Sequence, residues 1–300
     1  MTLPNFLLIG AAKSGTTALY AYIKQHPEVF MSTPKELRYF SYTGPYPEDL
    51  DEDYIHRGVT TLEEYTSHFE DVKDEKAIGE ASPMYVYTSG TAERIRTVIP
   101  DVKLLAILRN PVDRAFSAYM HAIRDWKEPA ASFKEALEKE QERISAGWGM
   151  LWHYTQAGFY YEQLNRYYQV FDPHQIKVVL YDDLVKDSDG LLRDIFKFLG
   201  VDPTFTPDTT ARPNVSGFPK NPKFHQFMYR LFMQDNVIKR VSRVIFPKAF
   251  RQNVMVNMRL INLEKRSMPE DIHDRLEDLF RQDIKSLEKL IGRDLSSWVN

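Results

Sequence analysis

The sequence predicts an α/β fold: a three-layer arrangement with a central parallel sheet flanked by helices, plus a helical C-terminal extension. Three observations carry that expectation. Short apolar runs bounded by Gly or Pro alternate with longer segments of helical spacing, as in a sheet buried under helices on both faces. The chain has 300 residues, 43% hydrophobic and 13% aromatic, enough to bury a large core. Its last segment keeps one apolar stripe over many turns.

Taken in order, Asn5–Gly10 (NFLLIG) is a continuous apolar run between Pro4 and Gly10 and reads as a strand buried on both faces. Thr17–Gln25 carries Leu19, Tyr22 and Ile23 at helical spacing. Val29–Met31, Ala77–Gly79, Lys103–Leu108 and Ile176–Tyr181 are the other strand candidates. Residues 88–98, 111–126, 132–146, 153–170 and 188–199 read as helices, the last closed by Gly200. Ser267-x-x-Glu270 has the pattern of a capping box, with Pro269 in the first turn. Ile272, Leu276, Leu279, Phe280, Ile284, Leu287 and Ile291 follow as a packing stripe. Ser41–Gly58, with its acidic run, and the proline-rich Pro203–Pro222 read as long loops. No repeat or low-complexity tract is visible. A single domain over 1–300 is expected, with an α/β core over 1–215 and a helical region over 216–300.

Composition narrows function. A net charge of −3, from 39 basic and 42 acidic residues, argues against a nucleic-acid binder. With no cysteine, thiolate nucleophiles, disulfides and Cys-ligated metals are excluded. The N-terminus reads as a core strand rather than a signal peptide. No apolar run reaches the ~18 residues of a membrane span, and a soluble, cytoplasmic protein is the expectation.

The run Gly10-Ala11-Ala12-Lys13-Ser14-Gly15-Thr16-Thr17 joins the first strand to a helix. Such a corner turns several backbone N–H groups and a helix dipole toward an anion. Gly15 admits close approach, Thr16 and Thr17 bring hydroxyls, and Lys13 a mobile cation. A Walker A loop shares the Gly10 to Gly15 spacing and a hydroxyl at Thr17. Its lysine, however, would stand at position 16, and no strand ends in an Asp suited to hold Mg²⁺. The corner reads as a metal-free, P-loop-like anion site, with a plain tight turn as the alternative. Arg109-Asn110-Pro111 follows the KLLAIL strand as a second corner, with Ser117 two helical turns on. Arg109 and Ser117 suit a shared phosphate; a structural ion pair of Arg109 is the other reading.

Together, AAKSGTT and RNPVDRAFSAY, with KELRYF (35–40), GEASPMY (79–85), GFYYEQL (158–164), VVLYDDL (178–184) and IFKFLGV (195–201), resemble the family of sulfotransferases that use 3′-phosphoadenosine-5′-phosphosulfate (PAPS). The resemblance covers about residues 5–215 and is strongest to the branch of heparan sulfate and bacterial enzymes. It implies that Lys13, Ser14, Gly15, Thr16 and Thr17 hold the 5′-phosphosulfate and that Arg109 and Ser117 hold the 3′-phosphate. The loop Arg212-Pro213-Asn214-Val215-Ser216-Gly217 would close over the nucleotide, with Arg212 and Asn214 as contacts. It also implies Glu36 as the base for the acceptor, with Lys13 stabilising the leaving phosphate. His121 and His153 are the alternative bases, since another branch of the family uses histidine. Glu80-Ala81-Ser82-Pro83 departs from the Glu-Lys-x-Pro of glycosaminoglycan-acting relatives, which weakens the case for a heavily sulfated polysaccharide acceptor. A small-molecule, carbohydrate or carrier-bound acceptor is expected, on the side of the C-terminal region. There, residues 236–266 hold eight basic residues and one acidic one among apolar positions. That pattern suits either a solvated helix face or a dock for an acidic partner or a membrane surface. A P-loop nucleotide kinase and a nucleotide-binding module without activity are the competing functions.

Overall fold

The computed structural model describes residues 2–41, 58–210, 217–221, 223–224, 226–227, 262–264 and 266–299. Five strands form one sheet: β1 (Phe6–Gly10), β2 (Val29–Met31), β3 (Ala77–Ala81), β4 (Lys103–Leu108) and β5 (Ile176–Leu180). They are ordered β2-β3-β1-β4-β5, and every pairing is parallel. Parallel strands send all their C-terminal ends to one edge, so the segments leaving β1, β2, β3 and β4 emerge side by side. In open α/β sheets this is the edge that binds ligands.

The sheet is apolar because it is buried on both faces. Phe6, Leu8, Leu105, Ile107 and Val179 pack into one core with Leu19 and Ile23 of α1 (Thr16–Ile23) and with Leu191, Leu192, Ile195 and Phe196. The alternate residues Leu7, Ile9, Leu104, Ala106 and Leu108 are equally inaccessible, so the opposite face is covered as well. Gly79 pairs with Phe6 in register, and a Cβ there would collide with the Phe6 ring and the Met31 sulfur.

Helices α2 (Leu62–Ser67), α3 (Thr91–Val98) and α4 (Pro111–Arg124) follow, then α5 (Phe133–Glu138) and α6 (Glu140–Ser145). After them come α7 (Tyr160–Val170), α8 (Tyr181–Lys186), α9 (Ser188–Leu199) and the C-terminal α10 (Glu270–Ile291). Several expectations need correction. The segment 132–146 is two helices, and Glu140, the first residue of the second, turns its buried carboxylate onto the backbone N–H groups of Thr155 and Gln156. The segment 153–170 opens with a short 3₁₀ turn at Gln156–Gly158. Its helix starts only at Tyr160, where the Asp283 carboxylate accepts from the Tyr161 N–H. The last helix starts at Glu270, and the Pro269 carbonyl accepts from Ile272 and His273, so the Ser267 capping box is not what begins it. Neither α2 nor α8 was expected.

The chain divides into two compact units, Met1–Arg114 with Ala157–Pro213 and Leu279–Asn300, and Ala115–Gln156 with Asn214–Asp278. The first contains the sheet. The second gathers Phe116, Tyr119, Phe133, Tyr154 and Phe218 in an aromatic cluster. It also buries the ion pair of Arg143 and Glu128 at 2.8 Å, with the Tyr154 hydroxyl donating to the same carboxylate. There β6 (Phe218–Pro219) pairs antiparallel with β7 (Leu263–Glu264). Most of the acidic loop, most of the basic stretch 236–266, and both Arg212 and Asn214 lie outside the described residues.

Candidate functional site

The site is assembled by backbone hydrogen bonds that tie neighbouring strand exits together. Ala11 N–H donates to Ile107 of β4, Ser82 and Val86 N–H donate to Leu8 and Ile9 of β1, and Glu36 N–H donates to Ala81 of β3. Each segment leaving the sheet is thereby fixed to the next.

At the β1 exit, residues 11–15 make a tight turn into α1. Lys13 has φ 70° and Gly15, the N-cap, has φ 94°. Both lie in the left-handed region, which an L residue such as Lys13 adopts only at a cost in strain. The first-turn N–H groups of α1, including those of Thr16 and Thr17, have no intrahelical acceptor. Ser14 is fully buried, and its Oγ makes no hydrogen bond of normal geometry, although the Tyr160 hydroxyl lies close enough to feel it. A buried hydroxyl left in that state is costly unless a ligand completes it.

At the β4 exit, Asn110 caps α4 by accepting from the Val112 N–H at 2.9 Å. The Arg109 carbonyl accepts from the Tyr160 hydroxyl at 3.0 Å, and the Arg109 guanidinium lies over the Tyr181 ring, 4.9 Å from its centroid. Arg109 does reach Asp113, but at 3.4 Å and with that carboxylate 57% exposed, a pair of little worth. Its Nε is buried without a partner. The structural ion pair anticipated as an alternative therefore exists, in weak form, and leaves the guanidinium with donor capacity to spare. Ser117 is buried on α4, in the second unit.

At the β2 exit stands Glu36, with φ 72°, followed by Arg38 with φ 59°. This left-handed pair folds the loop back on itself. The Glu36 carboxylate receives Arg38 Nη2 at 2.6 Å and Lys35 Nζ at 3.0 Å, while its side chain stays 27% exposed. Burial works to raise the Glu36 carboxyl, but the Lys35 and Arg38 charges and hydrogen bonds outweigh it and hold the group below its ordinary value. Glu36 is therefore ionised at neutral pH. Lys35 and Arg38 are both bound to Glu36 itself.

The two histidines each have partners. His121 lies against the Arg124 guanidinium at 2.8 Å and Asp125 at 3.3 Å, and His153 donates from Nε2 to the Trp148 carbonyl at 2.9 Å. Both belong to the second unit.

Sequence reasoning missed a further group at the β3 exit. The Glu80 side chain is fully buried and accepts from the hydroxyls of Ser82, of Tyr85 at 2.9 Å and of Tyr65 at 3.2 Å. Burial raises its carboxyl to about 7, with the three hydroxyls pulling the other way. A glutamate inside the otherwise apolar strand AIGEA was the available signal. Among the described residues no group of His, Asp and Glu is arranged to hold a metal, and no helix is long and apolar enough to cross a membrane.

Comparison with known proteins adds to this geometry. The family described as Sulfotransferase domain matches residues 3–221. A crystal structure of a sulfotransferase from Alicyclobacillus acidocaldarius is 34% identical, with 99% of each chain covered and a TM-score of 0.77. The membrane-associated sulfotransferase kil1 of Dictyostelium discoideum is 24% identical over 79% of this chain and 64% of its own. Mouse heparan sulfate glucosamine 3-O-sulfotransferase 3A1 is 29% identical over 72% of this chain and 51% of its own. For human bifunctional heparan sulfate N-deacetylase/N-sulfotransferase 3 the figures are 28%, 68% and 23%. The chain thus spans less than two thirds of the length of these curated relatives.

Proposed function

The chain belongs to the sulfotransferase family, and on that premise we propose that it moves the sulfuryl group of PAPS onto a hydroxyl or amine of a small-molecule, carbohydrate or carrier-bound acceptor. One observation carries the reading. Two buried polar atoms, Ser14 Oγ and Arg109 Nε, make no hydrogen bond of normal geometry at two strand-to-helix corners that follow the adjacent parallel strands β1 and β4. Two orphaned donors beside a helix N-terminus suit a ligand with two separate phosphates.

In this reading Lys13, Ser14, Gly15, Thr16 and Thr17 hold the 5′-phosphosulfate. Arg109 takes the 3′-phosphate, with Ser117 as its second donor by the sequence resemblance. The acceptor oxygen or nitrogen attacks sulfur in line, the bond from sulfur to the 5′-phosphate oxygen breaks, and the acceptor proton passes to Glu36. Lys13 stabilises the charge that collects on the departing phosphate. Lys35 and Arg38 keep Glu36 ionised and aimed, at some cost in basicity, so proton transfer comes late, once bonding to sulfur has made the acceptor proton acidic.

Calorimetry tests the ligand: adenosine 3′,5′-bisphosphate should bind without a metal, and ATP–Mg²⁺ should not compete. Tight binding of ATP–Mg²⁺ with indifference to a 3′-phosphate would turn the reading toward a kinase. Transfer from radiolabelled PAPS to N-desulfated heparin, p-nitrophenol and glucosamine tests the chemistry. Glu36→Gln is expected to slow it by about 10²–10⁴-fold while bisphosphate binding persists. Bisphosphate binding with no transfer to any of these probes would favour a binding module.

A further inference from the structure

Resting on the reading of Glu36 as base, we propose that Glu80 is a positioning residue for it: the buried Glu80 carboxylate turns the Ser82 and Tyr85 hydroxyls so that their oxygens accept the backbone N–H groups of the Glu36 loop. A hydroxyl has one proton to give and lone pairs to receive. Ser82 and Tyr85 both spend that proton on Glu80. Their oxygens are left as acceptors, and each meets a loop amide. Arg38 N–H donates to Ser82 Oγ at 2.9 Å, and Phe40 N–H donates to the Tyr85 oxygen at 3.4 Å.

The first of these bonds falls at the end of the stretch whose conformation most needs support, and the second lies two residues beyond it. Glu36 and Arg38 are both left-handed, and such residues persist only where their surroundings over-determine them. The remaining anchors are the Glu36 N–H on the Ala81 carbonyl at 3.1 Å, the Val59 N–H on the Leu37 carbonyl at 2.8 Å, and Arg94 Nε on the Phe40 carbonyl at 2.7 Å. With the loop so held, the Arg38 guanidinium lies on Glu36 and fixes the carboxylate's direction.

A neutral residue at position 80 would not impose this polarity. Protonated Glu80, or a glutamine, brings a donor into a cluster that already contains three. One hydroxyl must then turn its proton away from position 80, and nothing any longer keeps that proton off the loop N–H. The groups around the carboxylate are Tyr65 and Tyr85, both phenols pushed well up and so protonated, and Tyr39, stacked on Tyr65 at 4.6 Å. Arg94 is held on the Phe40 carbonyl, and Lys35 and Arg38 are spent on Glu36. Among the described residues Glu80 is the acid of this cluster. Burial raises its carboxyl to about 7, so the change of polarity falls near neutral pH.

The test is amide hydrogen exchange on the full chain at pH 8, wild type against Glu80→Gln, followed over residues 34–41. The expected result is exchange faster by about tenfold or more at Arg38 and Phe40, with β1 and β4 unchanged. The dissociation constant for adenosine 3′,5′-bisphosphate should stay within about twofold, and the turnover number for radiolabelled transfer from PAPS should fall. Ser82→Ala, which removes one link and leaves Glu80 in place, should loosen Arg38 in the same way. Exchange over 34–41 that stays at the wild-type rate in both variants would overturn the proposal. So would a rise shared equally by the sheet, which marks general destabilisation. Full transfer activity in Glu36→Gln would instead overturn the base reading alone, so the two failures are distinguishable.

Discussion

Gly15→Ala perturbs both anion corners at once. Gly15 has φ 94°, and an added Cβ would lie 2.9 Å from Cδ2 and 3.2 Å from Cε2 of Tyr181. Tyr181 is also the ring beneath the Arg109 guanidinium, so the methyl group pushes on the support of the second corner. A left-handed alanine costs about 1–2 kcal/mol, and disturbing the stacked guanidinium adds about 0.5–1 kcal/mol. The protein can keep the turn and lose stability, or relax the turn and lose the convergence of N–H groups on the anion. The loss of folding free energy and the loss of bisphosphate binding free energy should therefore sum to about 1.5–3 kcal/mol. If all of it falls on binding, that is roughly 10- to 150-fold in affinity. Urea denaturation and titration calorimetry on the same sample measure the two parts. Tyr181→Ala alone removes the ring beneath Arg109 and should lose only the stacking part, about 0.5–1 kcal/mol, leaving the backbone part intact. Wild-type stability together with wild-type affinity in Gly15→Ala would refute the reasoning.

Lys13→Ala is expected to abolish transfer from PAPS while adenosine 3′,5′-bisphosphate still binds, because Lys13 acts on charge that develops at the leaving oxygen; undiminished turnover would remove it from the chemistry. Glu80 also leaves a mark on stability. Its folded-state value near 7 lies above that of the unfolded chain, so the native state holds the extra proton, and stability should decline as pH rises from about 4.5 to about 7. In Glu80→Gln that decline should vanish from urea midpoints measured across the range. Glu36 carries the opposite sign. Held low by Lys35 and Arg38, it stabilises the fold above the unfolded carboxyl value and loses that contribution as pH falls through its folded value. Glu36→Gln should therefore flatten the acid limb of the stability curve, and an unchanged acid limb would show that the ion pairs add nothing.

Elements with a local cause were legible in the chain. NFLLIG and KLLAIL are strands in the structure because an unbroken apolar run between Pro, Gly or charged residues can be satisfied only by burial on both faces. The Gly10–Thr17 corner was legible for the same reason, since small residues between a strand and a helix dictate a turn. The departures have distant causes. Helix α7 begins where Asp283, 122 residues away, accepts its first amide. The break between α5 and α6 accompanies Glu140 reaching Thr155. Helix α2, only six residues long, carries no periodic signal, yet it delivers Tyr65 to Glu80.

By itself, the sequence determined the parallel sheet, the family, and the identities of Lys13, Ser14, Gly15, Arg109 and Glu36 as candidates, because strand periodicity and corner chemistry are written in consecutive residues. Only the tertiary structure decided how Glu36 is held. The charges that lower it and the left-handed loop that carries it are local, but the Ala81 carbonyl and Arg94 side chain that pin that loop, and the buried Glu80 behind it, come from segments dozens of residues away. Burial and hydrogen-bond direction are properties of what surrounds a group, and neighbouring letters do not contain them.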